Sequence, residues 1–520
     1  MIILNFSSLP RAMAQSFLFN FFFLVTYLAI EPVEMIEPVQ AGPVLSNIAV
    51  QRVSSSPQSS FLRYPGIRTL FQLPNDPFLE QQWYFHNNGQ VDSQGQDGLA
   101  GADIKIFPAL EIFQPRGEVV LAVIDSGLDL NHEDISPDAL WVNVGESGLD
   151  DQGRDRATNG LDDDGNGYVD DVHGWNLVAG KHDVQDRHYH GTHVGAILTA
   201  LTNNNVGMAG GFSSIKLMLL KIFDLGGTAD RPKIAEGIRY ACENGARVVN
   251  ASWGSGYRSD EIEAAIRFCH ERGVLFVGAA GNSRKNMDVE PDFPSAYDLP
   301  NQVVVSATDN QDRPATFSNY GTMIDIAAPG SYIFSLLPKS QYRAFSGTSQ
   351  ASPMVAGAAA LLMAQEPWLS HMEVKKRLLE SADQRRALKR WVPSAGRLNV
   401  YNLLAGKKGD QLVPIEIPQW KEKDYSLESP HPYAYNMDET YEITVPGASF
   451  LRLHFEKFQF DKHDDTLTLI SAKGEVIEHL NSSLGSFWSE PIPGEKVILR
   501  LRSNDKVNDW GFVINKLQFH

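Results

Sequence analysis

The sequence predicts an α/β chain, a mostly parallel sheet flanked by helices, followed by a small all-β sandwich. Three observations carry this. Short β-branched apolar runs bounded by polar residues recur at 119–125, 216–222, 247–252, 274–279 and 303–307, as strands buried on both faces do. Helical patterns at 190–201, 232–244, 260–272, 352–364 and 372–381 alternate with them, which argues for a helix-covered parallel sheet. After residue 425 the segments become short, alternating and turn-separated, the pattern of a β-sandwich.

The first apolar run, Val119 to Ile124, ends at Asp125. A carboxylate at the carboxyl end of a buried parallel strand lies where open α/β sheets place their ligands. The segment His190-Gly191-Thr192-His193-Val194-Gly195 opens a helix pattern. Gly191 permits a close backbone approach, and His193 falls one turn later on the inner face as a structural histidine. The heptapeptide Gly347-Thr348-Ser349-Gln350-Ala351-Ser352-Pro353 places one serine at the start of a small-residue helix. Its Oγ would be exposed there, among unspent N–H groups and at the positive end of the helix dipole. Each piece alone has a plainer reading as a turn or a helix cap.

Together the blocks Ala122 to Gly127, His190 to Val194, Gly347 to Pro353 and Ala279-Ala280-Gly281-Asn282 resemble the signature blocks of the subtilase family of serine endopeptidases. The resemblance extends from Asn75 to Leu404 and includes Asn75-Asp76-Pro77, Gln82-Trp83 and Asn88-Gly89-Gln90. It implies a catalytic triad of Asp125, His190 and Ser349, with Asn282 donating to an oxyanion. The chemistry suits the residue types. A hydroxyl needs a base to take its proton, and an imidazole neutral near pH 7 can do so. A carboxylate fixes its tautomer. The resemblance also implies an S1 pocket between Ser252-Trp253-Gly254 and Ala279-Ala280-Gly281, whose small residues leave room for a large apolar or aromatic P1 side chain. Gly226, followed by Gly227, is expected on an edge that pairs with an extended peptide substrate. An esterase on an α/β-hydrolase fold is disfavoured, because its triad order and Gly-x-Ser-x-Gly motif are missing. The alternative kept is a catalytically inactive relative that acts by binding through its C-terminal sandwich, described below as CUB-like.

An Asp-rich insertion runs from Asp162 to Asp171. Asp162, Asp164 and Asn166 alternate as in an EF-hand loop, Gly167 supplies the turn and Tyr168 a carbonyl. His173 stands where that loop has its bidentate glutamate, so Asp170 or Asp171 would complete a structural calcium site. Crowded carboxylates repel one another without a cation. The plainer reading is a solvated acidic turn.

Composition bounds the rest. The 520 residues suffice for two or three domains, and the net charge of −18 argues against a nucleic-acid partner. The two cysteines, Cys242 and Cys269, lie on predicted helices among apolar neighbours and are expected as buried thiols. Arg11 followed by the apolar stretch 17–30 reads as a signal peptide or an uncleaved N-terminal anchor, hence a secreted or cell-surface protein. Expected domains are this segment (1–30), a short propeptide or linker (31–74), the catalytic domain (75–405), a linker (406–425) and a sandwich (426–520). The sandwich resembles a CUB domain in Ser429-Pro430-His431-Pro432-Tyr433, His463-Asp464-Asp465-Thr466-Leu467 and the element from Ser503 to Phe512, without that family's cysteines. This implies a protein or carbohydrate partner, and a calcium site from Glu456, Asp465 and Asp505 or else a surface acidic cluster.

Overall fold

The computed structural model describes residues 61–62, 71–413, 417, 419–461, 465–481 and 483–520. The N-terminal targeting segment, most of the propeptide or linker, and His463 and Asp464 of the CUB-like element lie outside the described residues.

The α/β part begins with β1 (Val119–Asp125), β2 (Gly174–Asn176), α1 (His190–Thr199), β3 (Ile215–Lys221), α2 (Arg231–Glu243) and β4 (Val248–Ala251). It continues through α3 (Asp260–Glu271), β5 (Leu275–Ala279), β6 (Gln302–Thr308), β7 (Ile326–Pro329) and a hairpin of β8 (Ile333–Leu337) and β9 (Gln341–Phe345). It ends with α4 (Thr348–Gln365), α5 (His371–Ser381), β10 (Asp383–Gln384), β11 (Gly396–Arg397) and α6 (Val400–Leu404). The main sheet has the order β10-β11-β7-β6-β5-β4-β1-β3-β2 and is parallel except for the terminal β10–β11 pair.

Strand β1 shows why the layers form. Leu121 and Val123 point into the core shared with α1 and α4, whereas Ala122 and Ile124 point into the core shared with α2 and α3. The period-two alternation of a strand thus feeds two apolar layers at once. Helix α4 is apolar all round and buried along nearly its whole length, as a helix at the centre of a core must be. It begins at Thr348, four residues before the expected start, so Ser349 lies within its first turn.

The two cysteines are not free thiols. Cys242 on α2 and Cys269 on α3 are disulfide-bonded with Cα atoms 5.6 Å apart. The packing of α2 against α3 creates that proximity, which the spacing along the chain does not reveal.

The C-terminal part consists of β12 (Lys421–Glu428), β13 (Asp438–Thr444), β14 (Phe450–Gln459), β15 (Thr466–Ser471) and β16 (Val476–Leu480), then β17 (Phe487–Trp488), β18 (Ile492–Pro493), β19 (Lys496–Arg502) and β20 (Gly511–Phe519). Two antiparallel sheets, β12-β20-β14-β17 with β18 also on β14 and β13-β19-β15-β16, enclose one apolar core. Strand β12 starts inside the stretch expected to be linker. It is an edge strand and mostly solvent-exposed, so its polar sequence carries no strand signal. The sandwich packs on the α/β part. Arg386, Lys389 and Arg390 pair with Glu475, Glu490 and Glu478 at 3.1, 2.5 and 2.7 Å, and Leu388, Trp391 and Val392 join the sandwich's apolar cluster.

Candidate active site

Asp125 ends β1, fully buried. Its Oδ1 and Oδ2 accept from His190 Nδ1 at 2.8 and 2.9 Å, and Oδ1 also accepts the Ser126 N–H at 2.7 Å. His190 begins α1 because of Asp186, a residue the sequence reading passed over. Asp186 Oδ1 accepts the N–H groups of His188 and Tyr189 at 2.8 and 3.1 Å, and Oδ2 accepts the Thr192 N–H and hydroxyl at 2.9 and 2.7 Å. This acidic cap satisfies orphan donors of the first turn. It also holds Tyr189 at φ 133°, an uncommon backbone for a bulky residue. Gly191 admits no side chain, since a Cβ would stand 2.2 Å from the Gly127 carbonyl oxygen. Burial pulls the His190 imidazole down, but the charge and hydrogen bond of Asp125 outweigh it and leave its pKa raised above 6.5. His193, fully buried, has its Nε2 3.1 Å from the Arg343 carbonyl, and burial pushes its pKa down to about 3. It is a neutral structural residue.

The Ser349 hydroxyl donates to the Ser252 carbonyl at 2.9 Å. In return the Ser252 hydroxyl donates to the Ser349 carbonyl at 2.8 Å. Pro353 explains the second bond. Lacking an N–H, it cannot bond the carbonyl four residues back, and Ser252 fills that place. Asn282 is exposed, with its Oδ1 occupied by the Thr348 N–H and hydroxyl at 2.8 and 2.9 Å. A Cβ built on Gly347 would stand 3.4 Å from Asn282 Nδ2 and 3.6 Å from Ser349 N, so both nitrogens lie near Gly347, beside the serine. Thr348, part of the serine motif, is the residue that orients Asn282.

The expected pocket walls adjoin this centre. Trp253 Nε1 donates to the Ile124 carbonyl at 2.9 Å, and Phe293 pairs with Ser255 beyond Gly254. The Ala279 carbonyl accepts from the Ser295 hydroxyl at 2.7 Å, and that of Ala280 from Asn319 Nδ2 at 2.8 Å. Asp292 lies between Gly254 and Gly281. Burial raises its pKa, opposed by Lys285 and Asn319. Gly226 does not offer its N–H for pairing with a peptide. It sits in an exposed turn with that N–H on Asp224 Oδ1 at 2.8 Å, the short-range bond an Asp-led turn favours.

The Asp-rich loop departs from its expected ligand set. Glu146, Asp162 and Asp164 each bring a carboxylate oxygen within 4.8 Å of the others. Glu146 was not anticipated, and its buried Oε2 has no hydrogen-bond partner. Burial raises its pKa. An all-oxygen set with an orphaned buried carboxylate oxygen fits a calcium ion. Asp170 and Asp171 are not part of it. Asp170 accepts the Gly160 N–H at 3.0 Å, and Asp171 accepts from the Tyr240 hydroxyl and from the side-chain amides of Asn143 and Asn166. Asn166 Oδ1 accepts the Tyr168 N–H at 2.7 Å, and His173 Nδ1 lies 2.8 Å from the Trp141 carbonyl. In the sandwich, Glu456, Asp465 and Asp505 form no such cluster among the described residues. Glu456 and Asp505 are exposed, and Asp465 is engaged by the Tyr433 hydroxyl at 2.6 Å and the Asn504 N–H at 2.8 Å.

A sequence profile of the subtilase family matches residues 116–403, more than half of the chain. The chain belongs to the subtilase family. Thermitase of Thermoactinomyces vulgaris is similar, 31% identical over 292 residues that cover 56% of this chain and 86% of that protein. The cell wall-associated protease of Bacillus subtilis (strain 168) is 34% identical over 315 residues, 60% of this chain but 30% of its own length. Solved proteases from Pseudoalteromonas arctica PAMC 21717 share the fold, with a TM-score of 0.51 and 23% identity over 64% of this chain and 99% of theirs. This subtilase is a serine-type endopeptidase, and its substrates are polypeptides. Its C-terminal antiparallel sheets are compatible with a CUB-like domain. Among the described residues no helix is long and apolar enough to cross a membrane.

Proposed function

We propose that this subtilase cleaves peptide bonds through an acyl-enzyme on Ser349, with His190 as general base and acid and Asp125 fixing the imidazole. The observation that supports the reading is the Asp125–His190 hydrogen bond at 2.8 Å; Ser349 is held by the carbonyl of Ser252, which follows β4, the strand next to β1. In the catalytic sequence Ser349 turns its hydroxyl from the Ser252 carbonyl toward His190 Nε2. The imidazole takes the hydroxyl proton as Oγ attacks the scissile carbonyl. Asn282 Nδ2 and the Ser349 N–H receive the developing oxyanion. His190 then gives its proton to the leaving amine, and water repeats the sequence to release the acid.

Substrate lies with its P1 side chain between the walls 252–254 and 279–281. Glu146, Asp162 and Asp164 hold a structural calcium, which supplies the positive charge that three neighbouring carboxylates lack. The chain is exported through its first 30 residues as a secreted or cell-surface enzyme, the domains follow the expected order, and the CUB-like sandwich takes a protein or carbohydrate partner. A serine-directed fluorophosphonate tests the central claim. It labels the wild type and not Ser349→Ala, and peptide hydrolysis disappears with the label. An unlabelled wild type favours the inactive, binding-type alternative.

A further inference from the structure

We infer that Asp292 makes this subtilase selective for a basic residue, lysine or arginine, on the acyl side of the bond it cuts. The inference deepens the proposed function and rests on its assignment of the two pocket walls. Sequence alone suggested a large apolar or aromatic P1 side chain, because the wall residues are small. The loop that leaves Asn282 returns at 292–293 and changes that expectation. Phe293 and Ser255 exchange backbone hydrogen bonds at 2.8 and 2.7 Å, which ties the end of the loop to the wall that starts at Ser252. This register places the Asp292 carboxylate in the gap between the walls. A Cβ on Gly254 would stand 2.8 Å from Asp292 Oδ1, and one on Gly281 would stand 2.7 Å from Oδ2. Both walls present a glycine where they face this carboxylate.

Oδ1 is buried and has no hydrogen-bond partner. Lys285, whose charge bears on Asp292, has its ammonium 3.2 Å from Glu290. A buried ionised oxygen without a partner is costly. An apolar P1 group would leave that cost in place. A lysine ammonium or arginine guanidinium removes it with a charge-assisted hydrogen bond, while the aliphatic stem packs along the small-residue walls. The carboxylate thus converts a permissive slot into one that discriminates by charge.

The test uses peptides identical except for Lys, Arg, Phe or Leu at P1. The wild-type chain is expected to show kcat/KM for Lys and Arg at least about tenfold above that for Phe. Asp292→Asn is expected to lower the Lys-to-Phe ratio by about 30- to 100-fold, the scale of removing one partner of a buried charge pair, and Asp292→Glu to restore part of it. Calorimetry with benzamidine, an amidinium probe, on Ser349→Ala and on Ser349→Ala with Asp292→Asn reads the pocket without turnover. Binding is expected in the first and not in the second. A wild type that prefers Phe or Leu, with a ratio unmoved by Asp292→Asn, overturns the inference, as does benzamidine binding that ignores Asp292. Uncut peptides and no fluorophosphonate label, with benzamidine binding still dependent on Asp292, would sink the catalytic reading and leave the pocket assignment standing.

Discussion

On the proposed mechanism, Thr348→Val separates the group that stabilises the oxyanion, Asn282, from the group that aims it. Thr348 is fully buried, and its hydroxyl donates to Asn282 Oδ1 at 2.9 Å and accepts the Gly281 N–H at 3.0 Å. Valine keeps the branched shape and removes both bonds. Asn282 retains the Thr348 backbone N–H at 2.8 Å, so its amide is loosened and not released. Losing an oxyanion donor altogether costs about 10²- to 10³-fold in kcat, or roughly 3–4 kcal/mol. Losing one of two restraints on the donor should cost about half of that, near tenfold in kcat with little change in KM. The Gly281 N–H left behind adds roughly 1–3 kcal/mol of instability, which thermal melting reads separately. The decisive assay is a kinetic cycle of wild type, Thr348→Val, Asn282→Ala and the double variant. In the Asn282→Ala background the threonine change should do almost nothing to kcat, because nothing remains to be oriented. Equal losses in both backgrounds would refute the argument and place the effect on Ser349 itself.

The raised His190 pKa sets the acid limb of kcat/KM above pH 6.5. Activity needs the neutral ring and grows as pH rises through the folded value. The ion pair's stability contribution runs the other way, complete below the unfolded value near 6.5 and lost as pH rises through the folded one. A limb at or below 6.5 would contradict the Asp125 contact, and Asp125→Asn should cost about 10⁴-fold in turnover. Chelation should lower the melting temperature of the wild type and leave Glu146→Gln unmoved. A melting curve unchanged by chelator removes the calcium assignment. Removing the Cys242–Cys269 bond, which spans 27 residues, should cost about 3.5 kcal/mol in chemical denaturation by the loop-entropy relation. Arg390→Met leaves the buried Glu478, 2% exposed, without its cation. It should cost about 3–5 kcal/mol, and the added change Glu478→Gln should recover most of it.

The legible parts of this chain are those where local pattern and tertiary role coincide. Strand β1 has the bounds its apolar run suggests because a central parallel strand is apolar on both faces and ends where the chain turns polar. Asp125, His190, Asn282 and Ser349 sit in short motifs, so their elements could be placed before their distances were known. What escaped depends on contacts between distant segments. Glu146 joins Asp162 from 16 positions away through a short turn whose sequence carries no metal pattern. The disulfide depends on how α2 meets α3. Strand β12 is polar because it is an edge. Asp292 lies at the end of an aperiodic loop, and only that loop's return onto Ser255 shows where its carboxylate points.

That same loop unites the functional elements of the chain. It leaves the sheet at Asn282, the proposed oxyanion donor, and returns at Asp292, inferred above to face the P1 side chain. Between them Arg284 donates through Nη1 to the Asp461 carbonyl at 3.2 Å, and Met287 joins the apolar cluster that includes the sandwich. Buried contacts of this kind restrict a loop's motion. The sandwich thus packs against this loop as well as against residues 386–392. Its contacts with residues 284–287 lie between the two positions proposed to receive the scissile carbonyl and the P1 side chain. If this loop carries the proposed oxyanion and P1 groups, a module packed against its middle can influence turnover without touching the substrate.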